Sequence, residues 1–126
     1  MMMSKVMLIE DDKTMLSLLS TLLKMEGYQI VTLTTEQTVE SLLATLRREK
    51  PDAALVDVHL QQASGLDLLA RLRQDPELGS IRILMSSGLD MSVESKKAGA
   101  DDFILKPYMP DELIKSIRRV LKNELS

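Results

Sequence analysis

The sequence predicts one α/β domain, a doubly wound five-stranded parallel sheet with helices on both faces. Three observations predict it. Short apolar runs recur along the chain: Val6-Met7-Leu8-Ile9, Ala53-Ala54-Leu55-Val56, Ile81 to Met85, and Phe103-Ile104-Leu105. Continuous runs of this length read as strands buried on both faces. Stretches with helical apolar spacing alternate strictly with the strands, the pattern of a parallel sheet with crossover helices. The 126 residues suit a single core, so one domain is expected over residues 1–126.

The first strand is expected at 5–10 and the first helix at 13–25. There Met15, Leu18, Leu19, Leu22 and Leu23 form one apolar stripe, and Gly27 stands where a C-terminal cap belongs. A strand at 28–33 leads to a helix at 36–49 carrying Val39, Leu42, Leu43 and Leu46. Pro51-Asp52 then returns the chain to an extended form, opening a strand at 52–57. The third helix, 65–74, carries Leu66, Leu68, Leu69 and Leu72 and ends before Pro76. Strands follow at 81–86 and 102–105. The last helix, 110–123, opens with Pro110, which suits a first turn. It carries Leu113, Ile114, Ile117, Val120 and Leu121.

The fourth helix, 90–98, differs from the rest. Its only apolar residues between Leu89 and Gly99 are Met91, Val93 and Ala98. Packing supplies most helix stability in proteins. Two readings stay open: the most mobile helix of the domain, or one that is simply short and exposed.

Composition excludes several function classes. A net charge of -3 gives no basic field for a phosphate backbone, so no direct nucleic-acid binding is expected. Tyr28, Phe103 and Tyr108 are too few aromatics for a base-stacking platform. The clusters Arg47-Arg48-Glu49-Lys50 and Arg118-Arg119 fall near helix ends and read as solvated termini. Without cysteine there is no disulfide framework and no thiolate metal site. No apolar stretch approaches the ~20 residues that span a bilayer. The first strand starts almost at once, leaving no room for a signal peptide. A cytoplasmic location with no membrane contact is expected. The chain ends with its fifth helix, so no attached output domain is expected within it.

The strand ends carry the chemistry. In an open parallel sheet, ligands sit at the carboxyl ends of the strands. Here the runs lead into Glu10-Asp11-Asp12, Asp57, Ser86-Ser87 and Lys106-Pro107. Glu10, Asp11 and Asp57 would crowd negative charge, and two such charges at about 4 Å interact by ~4 kcal/mol at an intermediate dielectric. That cluster calls for a cation. Oxygen ligands alone favour Mg²⁺. A hard metal on one side, Lys106 on the other and a hydroxyl between them make a cradle for a phosphoryl group. Asp57 then stands as a carboxylate nucleophile that forms an acyl phosphate. A strand-end turn explains any one of these acids; it does not explain the set.

With these residues in place, the chain resembles the receiver domain of two-component response regulators over essentially its whole length. The likeness rests on Glu10-Asp11, Pro51-Asp52 with Asp57, Gly65 eight residues on and Ser87 thirty residues after Asp57. Gly99-Ala100-Asp101-Asp102-Phe103 and Lys106-Pro107 complete it. The resemblance implies a flavodoxin-like sheet in strand order 2-1-3-4-5 and a cis Lys106-Pro107 peptide. It implies Asp57 as phosphoacceptor, Asp11 as a direct Mg²⁺ ligand, Glu10 as a second acid acting through water, and the His59 backbone carbonyl as a further ligand. It also implies Ser87 as the switch hydroxyl, Phe103 as the switch aromatic and Lys106 as the partner of the phosphoryl oxygens. The implied partners are a sensor histidine kinase or phosphotransfer protein, and a downstream protein or output domain. The latter would read the face made by the fourth helix, fifth strand and fifth helix. A homodimer stays open.

The chain departs from the family at several positions. Gln61 stands where the family often has proline, which is expected to loosen that loop. Ser87 replaces the commoner threonine and Phe103 the commoner tyrosine. Ser92 and Ser116 occupy positions that carry charge pairs in winged-helix transcription regulators, so much of that dimer signature is missing. His59 is the only histidine. Its place two residues past Asp57 suits a loop residue shaping access better than a phosphorelay donor. His59 and Leu89 are expected to set access of water to the phosphoryl group. The competing enzyme reading is an Mg²⁺-dependent phosphatase of haloacid-dehalogenase type. That class wants a second aspartate where His59 stands. A nucleotide-binding domain would need a glycine-rich loop, and here the glycines are scattered.

Overall fold

Five parallel strands alternate with five helices in the computed structural model, which describes residues 3–122. They are β1 (Lys5–Ile9), α1 (Lys13–Met25), β2 (Gln29–Leu33), α2 (Val39–Glu49) and β3 (Ala53–Asp57). Then come α3 (Gly65–Gln74), β4 (Arg82–Ser87), α4 (Ser92–Lys97), β5 (Asp102–Leu105) and α5 (Pro110–Lys122). The sheet order is β2-β1-β3-β4-β5, as the resemblance implied.

Successive strand residues point to opposite faces, and the sequence exploits both. Met7, Ile9, Ala54, Val56, Ile83 and Met85 face α2 and α3. Val6, Leu8, Leu55, Leu84 and Ile104 face α1 and α5. Every residue of β3 is buried, which is why its run is apolar until Asp57.

Several boundaries moved, each for a local reason. α2 begins at Val39 rather than 36, because Thr38 Oγ1 accepts the Ser41 N–H at 3.2 Å and caps it. α4 is shorter than expected. Asp90 stays outside the helix, its Oδ1 accepting from Ser92 N–H at 3.1 Å and from Ser92 Oγ at 2.6 Å. Gly99, at φ 108°, ends it. Only Ser95 of this helix is buried. β5 is an edge strand, so its run is not buried on both faces; Leu105 is 50% exposed. β4 reaches Ser87, one residue further than expected. Asn123, the expected last residue of α5, lies outside the described residues.

One partly buried network had no sequence signal. Arg73, at the end of α3, donates to Gly99 O at 2.8 Å, Ile81 O at 2.6 Å and Asp101 Oδ2 at 2.8 Å. Asp101 Oδ2 also accepts the Ile83 N–H at 2.7 Å. The guanidinium thereby ties α3 to the segments that precede β4 and β5. Among the described residues, no helix is long and apolar enough to cross a membrane.

Candidate functional site

The sheet register assembles the site. β1 pairs with β3 so that Ile9 lies beside Val56, which sets Glu10 and Asp57 at neighbouring strand ends. Asp57 in turn lies beside Ser86, and Ser87 beside Leu105. The ladder continues one step further, with the Lys106 N–H donating to Ser87 O at 2.8 Å. Residues far apart in sequence therefore meet at one edge of the sheet. Glycine is required at Gly65: a Cβ there would stand 2.2 Å from the Asp57 carbonyl oxygen. Its own N–H donates to Val58 O at 2.7 Å. This close approach lets α3 start directly beneath the Asp57 loop.

Carboxylate oxygens of Glu10, Asp11 and Asp57 all lie within 4.8 Å of one another. The Lys106 ammonium bridges two of them, donating to Glu10 Oε1 at 2.9 Å and Asp57 Oδ2 at 2.7 Å. Asp57 Oδ1 accepts the His59 N–H at 2.9 Å. Glu10 and Asp57 are buried, whereas Asp11 and His59 are exposed. Burial raises the Glu10 pKa against the pull of Lys106. Burial also works against the Lys106 ammonium, but the hydrogen bonds it donates to Asp57 and Glu10 outweigh it and raise its pKa. The lysine stays charged.

The residues fit a hard divalent cation. All donors are oxygens, and three carboxylates gather around one ammonium, leaving negative charge that a divalent cation would balance. Such a donor set suits Mg²⁺ better than a softer metal.

Ser87 is fully buried on β4, and its Oγ accepts the Leu89 N–H at 3.1 Å. Phe103 packs into the same core layer as Met91, Ala98 and Ala100, beside α4. The Lys106-Pro107 peptide is cis. Gln61 corrects one expectation. Its N–H, which a proline would lack, donates to Thr35 O at 3.1 Å. The loop after β3 is thus tied to the β2–α2 turn at this point rather than loosened.

Sequence reasoning missed Tyr108. It lies two residues past Lys106, is 7% exposed, and its hydroxyl has no partner. Burial, followed by the negative charge of Glu10, pushes its phenol up to about 12. With Glu10, Asp11, Met15, Gly88 and Lys106 it lines a cavity of about 450 Å³ beside the acid cluster. The available signal was its position on the loop that carries the lysine.

Comparison with known proteins agrees with this geometry. The response regulator receiver domain family matches residues 6–118. The transcriptional regulatory protein CpxR of Klebsiella pneumoniae is 35% identical over 121 residues, covering 95% of this chain and 50% of that protein. The probable transcriptional regulatory protein TcrX of Mycobacterium tuberculosis is 30% identical over 118 residues, covering 93% of this chain and 49% of that protein. The chain therefore spans about half the length of these curated relatives. Among solved structures, a CheY-like response regulator receiver domain protein of Methanospirillum hungatei superposes with TM-score 0.83 at 27% identity. That match covers 97% of this chain and 96% of the other. The haloacid-dehalogenase reading finds no support: no aspartate stands at His59, and the relatives are named as regulators. The site, the strand order and the matched span agree, and the chain belongs to the response regulator receiver domain family.

Proposed function

We propose that Asp57 is the phosphoacceptor of this receiver, with Glu10, Asp11, Asp57 and the His59 backbone carbonyl holding Mg²⁺. The observation that carries this reading is the Lys106 ammonium, 2.7 Å from Asp57 and 2.9 Å from Glu10 inside a cluster of three carboxylates. A lone buried carboxylate would repel a phosphoryl donor; this one has a cation beside it and room for a second. Mg²⁺ supplies charge neutralisation for the incoming phosphoryl oxygens.

A carboxylate oxygen of Asp57 attacks the phosphorus of a phosphohistidine on a sensor kinase or phosphotransfer protein. A P–O bond forms as the P–N bond breaks, and the electron pair stays on the departing imidazole nitrogen. Lys106 turns from Asp57 and Glu10, both of which it holds in the unphosphorylated site, to a phosphoryl oxygen. Ser87 now accepts from Leu89 N–H, which leaves its own proton free to donate to that group. Phe103 fills the space that Ser87 leaves, and α4 and β5 shift with it. A downstream protein or output domain reads the α4-β5-α5 face. The domain acts as a phospho-switch, and its chemistry is confined to gaining and losing its own phosphoryl group.

Intact mass after incubation with acetyl phosphate and Mg²⁺ tests the reading. One phosphoryl mass is expected, absent in Asp57→Asn and in excess chelator. An Asp57→Asn protein that labels fully overturns the assignment.

A further inference from the structure

We propose that Tyr108 is a positioning residue whose phenolic hydroxyl donates a hydrogen bond to Glu10 once Lys106 turns to the phosphoryl group. The inference rests on the phosphoacceptor reading above and assigns a partner that reading leaves missing.

Every donor to Glu10 converges on one oxygen. Oε1 accepts from Asp11 N–H at 3.1 Å, Asp12 N–H at 3.3 Å and Lys106 Nζ at 2.9 Å. Oε2 is buried and has none. A buried unpaired carboxylate oxygen is costly, and the cost grows when its cation leaves. Phosphoryl transfer draws Lys106 away from this carboxylate. The Tyr108 hydroxyl is a donor that is also buried and without a partner. Both residues line the same cavity beside Lys106, and Glu10 exerts the strongest charge effect on the phenol. One side chain lacks a donor and the other an acceptor. The phenol holds its proton at neutral pH, so it is available to donate. A hydrogen bond between them gives each buried group the partner it lacks. Gly88, on the same cavity wall, has nothing within 4 Å of where a Cβ would lie, so space for a small adjustment exists.

Tyr108→Phe removes the hydroxyl and keeps the ring. It is expected to keep the thermal unfolding midpoint of the wild type in chelator. Labelling by acetyl phosphate at saturating Mg²⁺ should slow about tenfold, the usual scale of one hydrogen bond to a charged group. A second measurement needs no change at Tyr108. The chain has two tyrosines and no tryptophan, so Tyr28→Phe leaves Tyr108 as the only emitter. Adding Mg²⁺ and beryllofluoride should quench it as the phenol engages the carboxylate. A Tyr108→Phe rate within twofold of wild type overturns the inference, and so does unchanged emission. If Tyr108→Phe fails to fold, the emission result decides alone. A wild type that takes up no phosphoryl mass fails the phosphoacceptor reading and this one with it. Normal labelling of both proteins fails this one only.

Discussion

The sheet's centre and its β5 edge are built to different standards. β1 and β3 are buried almost throughout, and they end in Glu10 and Asp57, themselves buried and held by Lys106. On the other side, α4 buries only Ser95, and β5 buries only Ile104. Leu89, Val93, Leu105 and Met109 are at least half exposed there. Well-packed elements resist displacement, and thinly packed ones open at low cost. The proposed chemistry therefore falls on the well-packed part and the proposed partner surface on the thinly packed part. Arg73 joins the two, holding Gly99 and Asp101 at the C-terminal end of α4. Motion in α4 is then expected to be easiest at its N-terminal end, on the loop that follows Ser87.

Two glycines test this contrast most sharply. A Cβ at Gly65 meets backbone atoms of Asp57 and Val58 at 3.0 Å or less, and backbone gives way poorly. Gly65→Ala is expected to cost about 3 kcal/mol, the upper range for overpacking, and to displace Asp57. At Gly88, where a Cβ meets nothing within 4 Å, alanine should change stability by about 0.5 kcal/mol or less. Denaturant unfolding of the two variants reads both values. Equal costs would mean the site end is no more tightly built than the β4–α4 loop.

Hydrogen exchange addresses the helices directly. Amides of β1 and β3 are expected to exchange only through global unfolding, so their protection should fall with denaturant. Those of Ser92–Lys97 should exchange by local opening, insensitive to low denaturant. Protection in α4 equal to that in β3 would break the comparison and leave the helix merely short.

What could be read from sequence follows the same division. Glu10, Asp11, Asp57, Ser87 and Lys106 were legible as strand-end residues because each lies within two residues of the end of an apolar run, and parallel topology then dictates where strand ends meet. The α1 and α3 bounds were legible because apolar spacing and caps agree. Edge position was not legible in the run itself: Phe103-Ile104-Leu105 has the composition of a central strand, and only the strand order that the resemblance implied places it at the edge. Nor were the Arg73 network, the Gln61–Thr35 tie or the setting of Tyr108. Those depend on which backbone groups arrive beside a side chain after folding, and no local pattern encodes that.

Beryllofluoride with Mg²⁺ should sharpen the link between the two regions. Amide shifts are expected throughout residues 87–106, because Ser87 and Phe103 lie on the two strands that flank α4 in sequence. Shifts confined to residues 10–12 and 57–59 would mean that the rigid end responds without moving the yielding one.

The smallest expected effect concerns the boundary itself. His59 and Leu89 sit on the loops after β3 and β4, and both are exposed. Leu89 is 65% exposed, and its N–H holds Ser87 Oγ at 3.1 Å. In the proposed switch Ser87 turns to the phosphoryl group, which would break that bond and require the Leu89 loop to settle anew. An apolar side chain there has no group to orient an attacking water. A carboxylate at the same position could accept a proton from that water. Leu89→Glu is therefore expected to speed loss of the phosphoryl group several-fold, with labelling at Asp57 still complete. Decay of the phosphorylated protein, followed by intact mass after removal of donor, measures it. Unchanged decay would assign control of water to His59, on the rigid side of the site, instead of to the loop that precedes α4.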